Sequence, residues 1–350
     1  MATPNPMADP SSTTPDISVQ ELQMCGLMVD VYGLSELLPS PSASHITILW
    51  LHHPRLRSKV DMKPIACSVL SAFHAQHQAQ HPDRGMIAIV HDQRNHGTRK
   101  VSDKANKSWR DGNATHAQDM YGVVAGCVGD AKGLMDAVEG YLFLGGGRAV
   151  DQHLVLGVSL GGHTAWQLMF DDKRVEAGVM VIGCPDFMLD LLKDRARRSK
   201  LETFKAEEAS GKPFLGSNDF PPALVEACRK ADPKALAFGT GPISTSPKDA
   251  TEAARLKNLF DQHHLRGKRF LSCSGKDDKL VPYEISKPFM DFLVNAASTW
   301  YKDGGIYVED KVYKGVGHSF SPGMVQDAVR FILDTVADKD KRKHAGGAKI

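Results

Sequence analysis

Seven short apolar runs, separated by longer stretches of helical periodicity, limit what this sequence can fold into more than any other feature. In order they are CGLMVDVYGL, HITILWL, GMIAIV, HLVLGV, AGVMVIG, KRFLSCS and GIYVEDKVY. Several are almost continuously apolar, as strands are when helices cover both faces of a parallel sheet. Helices are expected between them at about 64–80, 116–142, 161–170, 283–297 and 322–337. This alternation predicts an α/β fold with a mostly parallel sheet and helices on both faces.

One stretch breaks the rhythm. Between Cys184 and His264 no strand pattern occurs, and the segment holds the charged run LLKDRARRSKLETFKAEEA and the Pro/Gly-rich KPFLGSNDFPP. A structureless loop of that length is improbable in a compact domain, so a helical lid insertion at about 186–262 is expected, covering one end of the sheet. Residues 1–17, rich in Pro, Ser and Thr, read as a flexible N-terminal tail, 18–337 as one domain and 338–350 as a charged C-terminal tail. Lys and Arg number 43 against 41 Asp and Glu, interspersed for a net +2, which leaves no electrostatic footprint for nucleic acid. No apolar run approaches the roughly 20 residues of a membrane span, and MATPNPMADPSSTTPD has neither part of a secretory signal. The six cysteines form no CxxC pair, and Cys127, Cys184 and Cys273 sit in or beside apolar runs, as buried thiols do in a reducing compartment. A soluble intracellular protein is expected.

The segment HLVLGVSLGGHTAW runs from an apolar strand through Gly157-Val158-Ser159-Leu160-Gly161 into a helical pattern. A nucleophile on a sharp strand-to-helix turn needs small neighbours, which Gly157 and Gly161 supply. The turn would lift the Ser159 hydroxyl above the sheet and set the Leu160 N–H at a helix N-terminus, where it can stabilise an oxyanion. A serine hydroxyl becomes a nucleophile when a histidine takes its proton, and the histidine needs an acid to fix its tautomer. Both follow in chain order: Asp277 and Asp278 in GKDDKLVP after KRFLSCS, and His318 in GVGHSF after GIYVEDKVY. Each lies at the carboxyl end of its strand, where open α/β sheets bind ligands.

With these pieces together the chain resembles an α/β-hydrolase, a serine esterase or a prolyl-oligopeptidase-like single-domain hydrolase, from about residue 25 to 337. The resemblance maps the family's G-x-x-D-x-x-V-P acid onto Asp278, framed by Gly275, Val281 and Pro282, and its G-x-G-H histidine onto His318. Asp277 is one position off that pattern. Some members take the acid from just after the sixth strand, where Asp186 stands here; its other reading is a helix N-cap. HDQRNHG, with Asp92, Arg94, His96 and Gly97, is similar to the family's D-x-R-x-H-G loop, whose role is structural. Where members carry His-Gly-x and take a second oxyanion donor, this chain reads His52-His53-Pro54-Arg55. If His53-Pro54-Arg55 replaces His-Gly-x, the donor is the Arg55 amide, the favoured reading, and the Arg55 side chain could also meet an acidic substrate group; one residue earlier, the position falls on Pro54, which has no N–H, and the hole is built differently.

The resemblance implies cleavage of a carboxylic ester, thioester or lactone, with an amide also fitting, through an acyl-enzyme on a small-molecule acyl substrate, with neither cofactor nor metal. The alternative is a non-catalytic protein of the same fold that binds a small ligand or a partner under the lid. Oligomeric state is not readable from the residues. His74, His77 and His81 share one helix face and could hold a metal with a carboxylate, but the face is polar and reads as solvated. His163 reads equally as pocket-lining or as surface, His263 and His264 as loop residues, and the basic run 193–200 as the outer face of a lid helix. Ala348-Lys349-Ile350 resembles a peroxisomal address of the Ser-Lys-Leu type; the other expected location is the cytosol.

Overall fold

The computed structural model describes residues 5–7, 16–37, 43–78 and 80–347, so the C-terminal tripeptide lies outside the described residues. In chain order the elements are β1 (Val19–Met24), β2 (Leu27–Tyr32), α1 (Leu34–Leu37), β3 (His45–His52), α2 (Lys63–Gln76), β4 (Arg84–His91), α3 (His116–Leu142), β5 (Ala149–Val158), α4 (Leu160–Asp171) and β6 (Val175–Val181). A π-helical turn (Phe187–Leu192) and helices α5 (Lys193–Ser199), α6 (Glu202–Ser210), α7 (Pro222–Arg229), α8 (Pro233–Phe238) and α9 (Ala250–Gln262) follow. Then come β7 (Arg269–Gly275), α10 (Tyr283–Ser298), β8 (Tyr307–Tyr313) and α11 (Pro322–Gly347).

The strands form one sheet in the order β1-β2-β4-β3-β5-β6-β7-β8. Pairing is antiparallel for β1 with β2 and β2 with β4, and parallel from β4 through β8. The expected α/β fold is therefore the observed one. Side chains alternate across the sheet, so β3 feeds two cores. Ile46, Ile48 and Trp50 pack with α3, α4 and α10 on one face, while Leu49 and Leu51 pack with α2 and α11 on the other. A third cluster joins the N-terminal half of α3 and Leu160 to Phe187, Phe204, Phe214, Phe220 and Leu224 of the β6–β7 segment. That segment is helical, with no strand among its described residues, and its own apolar cluster anchors it over the carboxyl end of the sheet.

Five local readings change. The polar VQELQM forms an edge strand paired through a hairpin whose turn residues Cys25 and Gly26 have φ of 52° and 78°; Cys25 is thus turn, not strand. The charged helix splits at Lys200, whose left-handed φ of 57° ends α5. The segment 338–350 is not a free tail as far as it is described, because α11 continues to Gly347. Asp340 is buried there and accepts hydrogen bonds from Arg84 Nε at 3.0 Å and His77 Nε2 at 2.8 Å. His77 is accordingly buried rather than solvated. Within the segment read as an N-terminal tail, Pro6 lies against the body, its carbonyl accepting the Phe320 amide at 2.8 Å.

Candidate active site

The turn between β5 and α4 is sharp because two glycines remove the atoms that would block it. A Cβ on Gly157 would overlap the Gly161 carbonyl oxygen, and a Cβ on Gly161 would overlap the backbone of His52 at the end of β3. Ser159 at the apex holds φ 54° and ψ −111°, a strained conformation for a residue with a side chain. Its amide donates to Val181 O at 2.9 Å, which fastens the turn to β6. The Leu160 amide opens α4 beside the end of β3.

Ser159, Asp278 and His318 meet. Ser159 Oγ lies 2.8 Å from His318 Nε2, and His318 Nδ1 lies 2.7 Å from Asp278 Oδ2. The other carboxylate oxygen, Asp278 Oδ1, accepts the amides of Leu280 at 2.7 Å and Val281 at 3.0 Å. Asp278 is buried and His318 partly so. The acid and histidine loops lean on glycine as well, since a Cβ on Gly275 would overlap the Val316 and Gly317 carbonyls that lead into His318.

Asp186 stands apart from this chain of contacts. It is buried, with Oδ2 3.8 Å from Lys234 Nζ, and the Lys234 amide donates to the adjacent Pro185 carbonyl at 3.1 Å. Asp277 donates its amide to Val316 O at 2.9 Å and its side chain is exposed. His163 is not a surface residue; it is buried, with Nδ1 3.0 Å from both the amide nitrogen and the carbonyl oxygen of Cys184. Burial pushes its pKa down to about 3, so the ring is neutral and acceptor-competent.

The loop after β3 is held by the one after β4. His53 is buried, its Nδ1 lies 2.8 Å from Pro54 O, and its Nε2 accepts the Gln93 amide at 2.9 Å. Burial takes its pKa to about 4, and these two bonds define the neutral tautomer. Asp92 accepts the amides of Lys59 and Thr98, each at 2.8 Å. Burial alone would raise the Asp92 pKa; the Thr98 and Lys59 amides and the Thr98 hydroxyl outweigh it and lower it. His96, whose Nδ1 lies 2.9 Å from Arg94 O, and Arg94, which donates to Asp130 at 3.0 Å, complete a structural brace. Arg55 emerges from the braced loop into a cavity of about 340 Å³ that also contains Ser159 and His318.

Arg195 lines that cavity too, although the run 193–200 read as an outer face. Its signal was present: Arg195 lies three and four residues after Leu192 and Leu191, both buried, and so shares their side of the helix.

Two groups outside the cavity have metal-ligand chemistry, His77 with His81 and Asp340, and His91 with Cys127 and Asp130, each with ligand atoms within 4.8 Å of one another. In both, the carboxylate is already engaged by arginine, Asp340 by Arg84 and Asp130 by Arg94 and Arg99. A dication there would face those positive charges.

No family model and no curated protein matches the sequence. Solved structures do. TT1662 from Thermus thermophilus is 18% identical with a TM-score of 0.51, the match covering 91% of this chain and 97% of that one. Puromycin hydrolase is 17% identical with a TM-score of 0.50, the match covering 93% of this chain and 40% of that one. The chain has the α/β-hydrolase fold. An acylaminoacyl peptidase from Pyrococcus horikoshii is also similar, at 14% identity and a TM-score of 0.45, with 93% of this chain and 41% of that one covered. Against this and puromycin hydrolase the chain spans about two fifths of the neighbour's length.

Proposed function

We propose that this α/β-hydrolase is a serine hydrolase that opens a carboxylic acyl bond through a covalent acyl-enzyme. The observation that carries the reading is the unbroken Ser159–His318–Asp278 relay, with 2.8 Å and 2.7 Å links, beneath a cavity. Ser159 Oγ attacks the carbonyl carbon while His318 Nε2 takes its proton. Asp278, itself held by two amides, keeps Nδ1 protonated and balances the imidazolium. The Leu160 amide, joined by that of Arg55, stabilises the tetrahedral oxyanion. Collapse breaks the acyl bond, His318 returns the proton to the leaving group, and water activated by the same ring releases the acid. The helices between β6 and β7 act as the lid.

The substrate class favoured is an ester, thioester or lactone. An amide fits the same relay. A purely binding role is disfavoured because the strained turn sets the Ser159 hydroxyl against His318. Ser159→Ala tests the reading: hydrolysis of activated esters should be lost while the thermal midpoint stays within a few degrees of wild type. Retained turnover would sink it.

A further inference from the structure

Cationic side chains dominate the rim of the Ser159 cavity. Arg55 from the loop after β3 and Arg195 from α5 both line it. Arg110 and Arg198 line it as well; Arg198 shares the one carboxylate of Asp194 with Arg197, at 2.7 Å and 2.6 Å. Among the described residues neither Arg55 nor Arg195 has a carboxylate within ion-pair distance. Arg55 donates Nη1 to Asn106 O at 3.0 Å, and Arg195 Nη1 has only the Met120 sulfur at 3.9 Å. The acid whose charge reaches Arg55 is Asp111, which accepts the Ser108 hydroxyl at 2.6 Å. His116 also lines the cavity, but burial holds its pKa near 3 and it adds no charge.

Two guanidinium groups in a half-closed cavity, with no carboxylate in ion-pair contact and only Asp111 on the lining to offset them at longer range, are costly, because burial strips their hydration and their charges repel. Burial and then repulsion from Arg55 and Arg198 push the Arg195 pKa down to about 9. That still leaves it charged at neutral pH. Planar forks of this kind match an oxyanion in two-bond geometry.

We infer that Arg55 and Arg195 form an anion subsite of the Ser159 centre, so that the substrate carries a second, anionic group, a carboxylate or phosphate, close to the scissile carbonyl. The inference rests on the serine-hydrolase reading and narrows its substrate class.

The test compares kcat/KM for the para-nitrophenyl monoester of adipic acid with that for para-nitrophenyl hexanoate, which has the same chain length and leaving group. A second pair, para-carboxyphenyl butyrate against phenyl butyrate, moves the acid to the leaving group. The expected result is a preference of about tenfold or more for the acid in one pair, reduced about tenfold in Arg195→Gln, partly restored in Arg195→Lys, and weakened by salt. Arg55→Gln, which keeps the backbone amide, serves should Arg195→Gln not fold. Competitive inhibition by adipate over inorganic phosphate assigns a carboxylate, and the reverse a phosphate. No preference in either pair and inhibition by neither anion, in protein whose Ser159 a fluorophosphonate labels, overturns the subsite and leaves the hydrolase reading standing. Absence of labelling and of all ester turnover overturns both.

Discussion

His318 Nδ1 lies 2.7 Å from Asp278 Oδ2, and the acid's other oxygen is taken up by the Leu280 and Val281 amides. The carboxylate is thus fixed in position before the histidine meets it. Asp278→Asn keeps the shape but can present an N–H to Nδ1, which favours the tautomer that cannot accept the Ser159 proton. Hydrolysis of an activated ester should fall by about 10³-fold or more, with the fold retained by circular dichroism.

Asp186 gives the complementary expectation. It faces Lys234 inside the protein, with side-chain exposures of 1% and 2%, and does not touch His318. Removing its charge in Asp186→Asn leaves a buried ammonium short of a partner and should lower stability by about 2 kcal/mol in denaturant unfolding. Turnover should stay within about threefold of wild type. A folded Asp186→Asn as inactive as Asp278→Asn would transfer the acid's role.

At the far end of the molecule, Asp340 ties α11 to Arg84 and His77. Burial would raise its pKa, but the hydrogen bonds from His77 and Arg84 outweigh that and lower it from 3.8 to about 2. The unfolded chain therefore binds more protons in that interval. The stability Asp340 contributes is fully present above about pH 4 and is lost as pH falls towards 2. Asp340→Asn should remove that acid-limb dependence and cost about 3 kcal/mol at neutral pH, because Arg84 is fully buried and keeps only Asp151. Unfolding curves at pH 7, 4 and 3 for both proteins check this.

The buried parallel strands and the serine, acid and histidine loops were legible because each carries a local signal: an apolar run, or glycines around a chemically reactive residue. What escaped was decided by distant contacts. The strand Val19–Met24 is polar because it sits at the sheet edge, so it lacked the apolar mark of its neighbours. Asp340 lies in a charged run, and only the docking of α11 against Arg84 makes it a buried anchor. Arg195 differs from the exposed Arg197 by the side of the helix it occupies and from Arg198 by having no acid in ion-pair contact, and both differences are set by what the helix packs against.

The most direct measurement is to react the protein with a fluorophosphonate and map the adduct by peptide mass spectrometry. The relay activates one hydroxyl, so a single adduct on Ser159 is expected, abolished by Ser159→Ala and slowed at least about a hundredfold by His318→Ala. No adduct on Ser159 in folded protein, or labelling that His318→Ala does not slow, would contradict the account.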